Sequence, residues 1–463
     1  MRQTGSFRFL TLICFVFTLA PIFAQDPPKP APVKAPIKTG KAPIIIIPGL
    51  TGSDLYNERT GEHVWFRPHR VDDDDIRLPI SPNIARNRDN LVSRDVIREL
   101  KVVKFLPEIE VYERLIDALQ TRGGYKEGKW GAPAKDGDKD TFYVFPYDWR
   151  RDNIESARKL VRRIEELKRK LGKPGLKFNV IAHSMGGLVA RYAAMYGDSD
   201  IPGGKLEPSW PGARHFDKIF LLGTPNSGTV SALDALLNGF SYVGGGLNIP
   251  FIQDLSKFDV FTIPSAFQLL PYDGTLRAYD EFLQPMKIDI YDPATWEKYG
   301  WGVWKDDDYE KKYRPSEVIH IKSYLAAVLN RAKQFQTALN ANNSKNVPVA
   351  IYLVGGDCKE TLSGIVLRHD EKKERWYTMF KADTFTNSKG EKIAAERVKE
   401  LLFSLGDSVV PKNSLVGDGL IGNGDGHVLP VTAEIFQCEG HTKLVTSTEV
   451  QDKLLLLLDP AVP

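Results

Sequence analysis

Five residues, Ala182-His183-Ser184-Met185-Gly186, constrain this chain more than any others. They follow the apolar run 178–181 and precede a helix-like stretch from Gly187 to Tyr196. A strand, a sharp turn carrying serine and then a helix make a nucleophile elbow. The turn forces the serine into a strained backbone, so the residues two positions to either side must be small. Ala182 and Gly186 meet that need, with alanine standing where glycine is usual. The elbow also sets the Ser184 hydroxyl at a helix N-terminus, where backbone N–H groups receive negative charge. A chance S-x-G in a loop would lack both flanking elements.

The elements around the elbow alternate. Ile44-Ile45-Ile46-Ile47, closed by Pro48-Gly49, reads as a strand buried on both faces. Residues 141–145, 178–181, 216–222 and 347–354 read as further strands. From about Asn153 to Leu171, the residues Ile154, Ala157, Val161, Ile164, Leu167 and Leu171 keep helical spacing, while Arg and Lys line the other face. Strands alternating with helices predict an α/β chain with a doubly wound, mostly parallel sheet. The pattern breaks between about 229 and 346, which reads as a cap inserted over the active-site end. Phe251, Phe261, Phe267, Trp296, Trp301 and Trp304 crowd that stretch, as a lipid-facing surface or as ordinary cap core. Residues 55–105 form a second irregular, lid-like stretch, and Val64-Trp65-Phe66 in it is a candidate for the lid's apolar work. Asp72 to Asp75 lack the ligand spacing of a known calcium loop and read as a solvated turn. Ile393 to Phe403 reads as a helix. Leu454 to Leu458 imply a last helix buried on much of its circumference, with Thr446 and Glu449 at capping-box spacing.

Charge and cysteine usage narrow the classes. The net charge is +3, and removal of residues 1–24 deletes Arg2 and Arg8 and no acids, leaving about +1. Such a balance argues against a nucleic-acid partner. Arg2 and Arg8, the apolar stretch 9–24 and Ile22-Phe23-Ala24 read as an export signal over 1–24. Residues 25–41, rich in Pro and Lys, read as an extended tether. Two cysteines then remain, Cys358 and Cys438, either a disulfide or two buried thiols.

A serine hydroxyl needs a general base and an acid that orients it. In an α/β-hydrolase the order along the chain is Ser, acid, His. His441, in a loop before the last helix, is the expected base, with His427 its rival. Asp407, in Gly406-Asp407-Ser408-Val409-Val410, is the chosen acid, with Asp425 and Asp357 as rivals; most Gly-Asp pairs are polar turns. His183 reads as a packing or substrate-contact residue. The oxyanion donors are expected to be the N–H of Met185 and that of Leu50, in the loop after the first strand.

PGLTGSDL after the first strand, Tyr147-Asp148-Trp149-Arg150, the elbow AHSMGGLVARY, LLGTPNSGT at 221–229 and GDSVVPKNSL together resemble the lecithin:cholesterol acyltransferase family. PSAFQLLP at 264–271 and VAIYLVGG at 349–356 look like further family blocks, so that the resemblance spans about 42–458. It implies an α/β-hydrolase fold with a lipid-facing cap and an acyl-enzyme. By position it implies Ser184 as nucleophile, Asp407 as acid and His441 as base, with Leu50 and Met185 at the oxyanion. The animal enzymes' cysteine pair in the lid is absent. The resulting division is core 42–228, cap 229–346 and core 347–463. The expected activity is that of an exported lipid-ester hydrolase or acyltransferase needing no metal or organic cofactor, with a phospholipid or other lipid ester as substrate. The alternatives are a non-catalytic lipid-binding protein on the same scaffold and a soluble esterase for small esters. Tyr147-Asp148-Trp149-Arg150 reads as structural, tying the strand end to the cap.

Overall fold

The computed structural model describes residues 40–67, 76–100, 109–203, 206–240, 254–272, 275–304, 308–341, 347–417, 429 and 431–459. The export signal, the tether up to residue 39, Asp72 to Asp75, Phe251, Asp425 and His427 lie outside the described residues.

Seven strands build the central sheet: β1 (Ile44–Ile47), β2 (Lys126–Glu127), β3 (Thr141–Val144), β4 (Phe178–His183), β5 (Phe216–Leu222), β6 (Ala350–Gly356) and β7 (Ala433–Gln437). Their spatial order is β7-β6-β5-β4-β1-β3-β2, and every neighbouring pair is parallel. From the β1–β4 pair the chain winds to both sides, through β5, β6 and β7 on one and with β3 and β2 on the other, as in a doubly wound sheet. Helices cover both faces, which is why Ile44 to Ile47 are all buried and the run does not alternate.

Helix α1 (Asn153–Leu171) and helix α2 (Met185–Tyr196) pack against each other. Asp152 caps α1 by accepting the Ile154 N–H. Its buried apolar stripe is Ile154, Ala157, Leu160, Val161, Ile164 and Leu167: the spacing read from the sequence holds through Leu167, Leu160 joins it, and Leu171 at the helix end is only half-buried. By contrast α2 is buried all round, so its hydrophobicity has no polar face.

Between β5 and β6 the chain leaves the sheet for short helices and two longer ones, α3 (Val230–Asn238) and α4 (Ile321–Leu339). Phe261, Phe267, Trp296 and Trp301 are here, and all four are buried. Phe267 packs on Trp296, Trp296 meets Trp301 edge-on, and Phe261 meets Tyr324. The indole N–H groups donate to the Ile290 carbonyl and the Thr378 hydroxyl. These rings are therefore the segment's own core and not a lipid-facing surface. A pairing invisible in the sequence joins this segment to a later one: Arg277–Tyr279 runs beside Gly364–Asp370, whose hairpin partner is Arg375–Met379.

Three expectations are corrected. The last helix, α6 (Thr448–Leu458, after α5, Ala395–Leu402), begins after Ser447; Thr446 ends a separate short helix, so no capping box forms. Only Leu454 and Leu458 are buried while Leu456 is exposed, because an i, i+4 pair reaches the core and its neighbours turn outward. Trp65 is fully buried against Trp149 and donates to the Thr51 carbonyl, so it supports the loop after β1 from inside. Among the described residues no helix is long and apolar enough to cross a membrane.

Sensitivity to acid follows from two interior histidines. Burial pushes His183 down to about 3, helped by the nearby His441, and pushes His215 down to about 4, helped by Lys168 and Arg214. The unfolded chain takes up protons at these sites near pH 6.5 and the folded chain does not, so stability is full above that pH and falls as pH drops. Between pH 7 and 5 each site is expected to cost roughly 2 kcal/mol. Urea unfolding at the two pH values checks this, and His215→Gln should flatten the dependence.

Candidate active site

Four stretches meet about Ser184: the loop after β1, the elbow itself, the turn carrying Asp407 after Phe403–Gly406, and the loop after β7 that carries His441. Ser184 follows the final residue of β4 and precedes the first of α2, at φ 54° and ψ −127°. A non-glycine residue in this region is strained and persists only where its surroundings hold it. Here the Ser184 N–H donates to the Leu222 carbonyl at 2.7 Å, and its carbonyl accepts the Gly187 N–H at 2.9 Å. Close approach explains the small residue after it: a Cβ on Gly186 would lie 2.4 Å from the Pro48 carbonyl oxygen.

His441 Nε2 lies 2.8 Å from Ser184 Oγ, and its Nδ1 lies 2.7 Å from Asp407 Oδ2. Asp407 is fully buried, and its other oxygen accepts the N–H groups of Val409 and Val410 at 3.0 and 2.7 Å. Those two donors use the second lone-pair region, which leaves Oδ2 for the imidazole. The His441 N–H donates to the Asp407 carbonyl at 2.7 Å, so backbone and side chain hold the pair together. The Ser408 N–H donates to Thr361 Oγ1, anchoring the turn that carries Asp407. A disulfide joins Cys358, just past β6, to Cys438, three residues before His441.

The rival acid Asp357 points elsewhere and pairs with Lys412 at 3.2 Å. Asp425 and His427 are outside the described residues.

On the oxyanion side, Pro48 to Gly52 run close beside the elbow. A Cβ on Gly49 would lie 2.8 Å from Ser184 Cβ. Tyr147 Oη donates to the Pro48 carbonyl at 2.9 Å, and Trp149 Nε1 donates to the Ser53 carbonyl at 3.1 Å. Among the described residues neither the Leu50 N–H nor the Met185 N–H donates to a protein acceptor. The tetrad thus supports this loop. Arg150, fully buried, pairs with Asp148 and Asp89 and donates to the Ile76 carbonyl. Its tie runs to residues 76–89, while the Ser265 hydroxyl from the inserted segment reaches the Trp149 carbonyl.

Two groups carried no sequence signal. Tyr112 accepts the Gly49 N–H at 2.8 Å and lies 2.9 Å from His183 Nδ1. Thr361 stands 46 residues before Asp407. Neither lies in a motif, and only chain folding brings them in. A cavity of about 680 Å³ beside Asp54, Tyr56, His63 and Arg98 contains none of Ser184, Asp407 and His441.

A parallel doubly wound sheet with serine on a strand-to-helix elbow, contacted by histidine and that by a buried aspartate, defines a serine-type α/β-hydrolase. The chain belongs to the lecithin:cholesterol acyltransferase family, whose sequence profile matches residues 128–418. It is accordingly a lipid-ester hydrolase or acyltransferase. No curated protein matches the chain. Among solved structures, a chain of the Tle4–Tli4 complex is similar at 14% identity, covering 91% of this chain and 99% of that one with a TM-score of 0.55, which shows the shared fold. Weaker likenesses are lipase BlEst2 of Bacillus licheniformis (12% identity, 92% and 96% covered, TM-score 0.33) and phospholipase PlaB of Legionella pneumophila (12%, 75% and 56%, 0.32).

Proposed function

We propose that Ser184 attacks the carbonyl carbon of a fatty-acyl ester while His441 Nε2 takes the hydroxyl proton. Asp407 holds the imidazole tautomer and stabilises the imidazolium. The N–H groups of Leu50 and Met185 receive the tetrahedral oxyanion. His441 returns the proton to the leaving alcohol, and an acyl-enzyme remains. Water then gives a free fatty acid, or a lipid alcohol gives a new ester.

The observation that carries this reading is the unbroken contact from Ser184 Oγ through His441 to Asp407, set in a strained turn. The acyl group as the one transferred is read from the family match; the wholly apolar hollow walled by Leu50, Ala232, Leu255, Val260, Ile263 and Leu269, at about 20 Å³, has room for no more than a water-sized molecule. It joins a residue of the oxyanion loop to the inserted segment. We read the substrate as a phospholipid met at a membrane surface. We also read the protein as exported: the pattern of residues 1–24 supports this, and the Cys358–Cys438 disulfide fits an oxidising compartment.

The test is to treat one sample of residues 25–463 with a fluorophosphonate probe, and to supply a second, unlabelled sample with phospholipid vesicles with and without a long-chain alcohol. Label on Ser184 with fatty acid released in both cases is the hydrolase outcome. New ester appearing with the alcohol is the transferase outcome. Folded protein that takes no label at Ser184 overturns the reading.

A further inference from the structure

We infer that Tyr112 and His183 are positioning residues, forming one hydrogen-bond relay that holds the oxyanion loop and the histidine loop in register about Ser184. This rests on the roles proposed above for Ser184, His441 and Leu50.

Both side chains are more than nine-tenths buried. The relay has four members: the Gly49 N–H, Tyr112 Oη at 2.8 Å, His183 Nδ1 at 2.9 Å from that oxygen, and the His441 carbonyl at 3.2 Å from His183 Nε2. Its direction is forced. A backbone N–H only donates, so Tyr112 oxygen accepts from Gly49 and its own proton goes to His183 Nδ1. A carbonyl only accepts, so His183 Nε2 carries the ring proton and donates to His441. A single neutral tautomer satisfies every member. Burial keeps His183 neutral, which leaves this pattern unchanged at neutral and mildly acidic pH.

The relay ends on the two loops whose placement the reaction needs. Gly49 precedes Leu50, and its backbone already lies against Ser184 with no room for a Cβ. At the other end, the His441 N–H is held by the Asp407 carbonyl and its C=O by His183. The base is thereby fixed at both of its peptide groups. Tyr112 itself stands just before the short helix Glu113–Asp117, outside the central sheet. Four stretches of chain, at residues 49, 112, 183 and 441, thus set the placement of the oxyanion loop and of the base about Ser184. A misplacement of about 1 Å at such a site costs roughly a hundredfold in rate.

Tyr112→Phe, His183→Phe and His183→Gln test this, with kcat and KM on an acyl nitrophenyl ester, the rate of fluorophosphonate labelling at Ser184, and thermal melts. Tyr112→Phe is expected to lower kcat and the labelling rate by about 10- to 100-fold with KM within about twofold. His183→Gln, which retains an N–H able to reach the His441 carbonyl, should recover at least about fivefold over His183→Phe. Folded Tyr112→Phe at the wild-type kcat, a loss carried by KM alone, or equal rates for the two His183 variants overturns the relay. Should His183→Phe fail to fold, Tyr112→Phe decides alone, since it removes one oxygen. A wild-type chain unlabelled at Ser184 removes the nucleophile reading and this inference with it; a labelled wild type with unaffected variants removes the relay only.

Discussion

Replacing Ser184 by alanine is expected to lower turnover of an acyl ester by on the order of 10⁴- to 10⁶-fold and to abolish fluorophosphonate labelling. The effect is large because no other group takes over bond formation to the carbonyl carbon. His183 is adjacent, but its Nδ1 and Nε2 are both engaged, by Tyr112 and by the His441 carbonyl. Residual rate should come from the oxyanion donors and binding alone. The fold should survive, since alanine at 184 keeps the backbone bonds to Leu222 and Gly187. It also removes only an oxygen from a half-buried position. A melt matched to the wild type, together with the kinetic loss, is the expected pair of results. Activity within tenfold of wild type would place the nucleophile elsewhere.

The second large effect belongs to Asp407. Asp407→Asn keeps the volume of a fully buried side chain but offers His441 Nδ1 an amide in place of a carboxylate. The imidazole can then settle in the wrong tautomer, with Nε2 protonated and unable to accept the Ser184 proton. A loss in kcat of about 10⁴-fold is expected from that change. Asp357→Asn is the matched control: its carboxylate pairs with Lys412, so turnover should stay within about twofold. Steady-state kinetics on the two purified variants separates the choices. Equal, mild losses in both would refute Asp407 as the acid.

The site was legible where the constraint is local. An elbow needs a strand, a small residue, a serine and a helix start within a few positions, because the steric crowding arises from the turn itself. Gly186 shows why: its missing Cβ is the space occupied by the Pro48 carbonyl. Strands β1, β4 and β5 were legible for a related reason. A strand covered on both faces must be apolar throughout, and Ile44 to Ile47 are. The aromatic residues of the inserted segment show where such reading ends. Composition reports that Trp296 and Trp301 avoid water, but a buried core and a lipid-facing surface ask for the same side chains. Only their contacts distinguish the two, and Trp296 lies between Phe267 and Trp301. The same ambiguity affected the five C-terminal leucines, of which one stripe faces inward.

The sequence by itself determined the strand–elbow–helix unit, the strands flanking it and the residue types available to it, since these follow from backbone sterics and hydrophobic periodicity over short spans. Tertiary structure decided which carboxylate meets His441, that Cys358 and Cys438 join, and that Tyr112 links Gly49 to His183. Each of those is a contact between residues tens to hundreds of positions apart. Nothing in local spacing encodes such a meeting; it arises when the parallel sheet carries the ends of its strands to one edge.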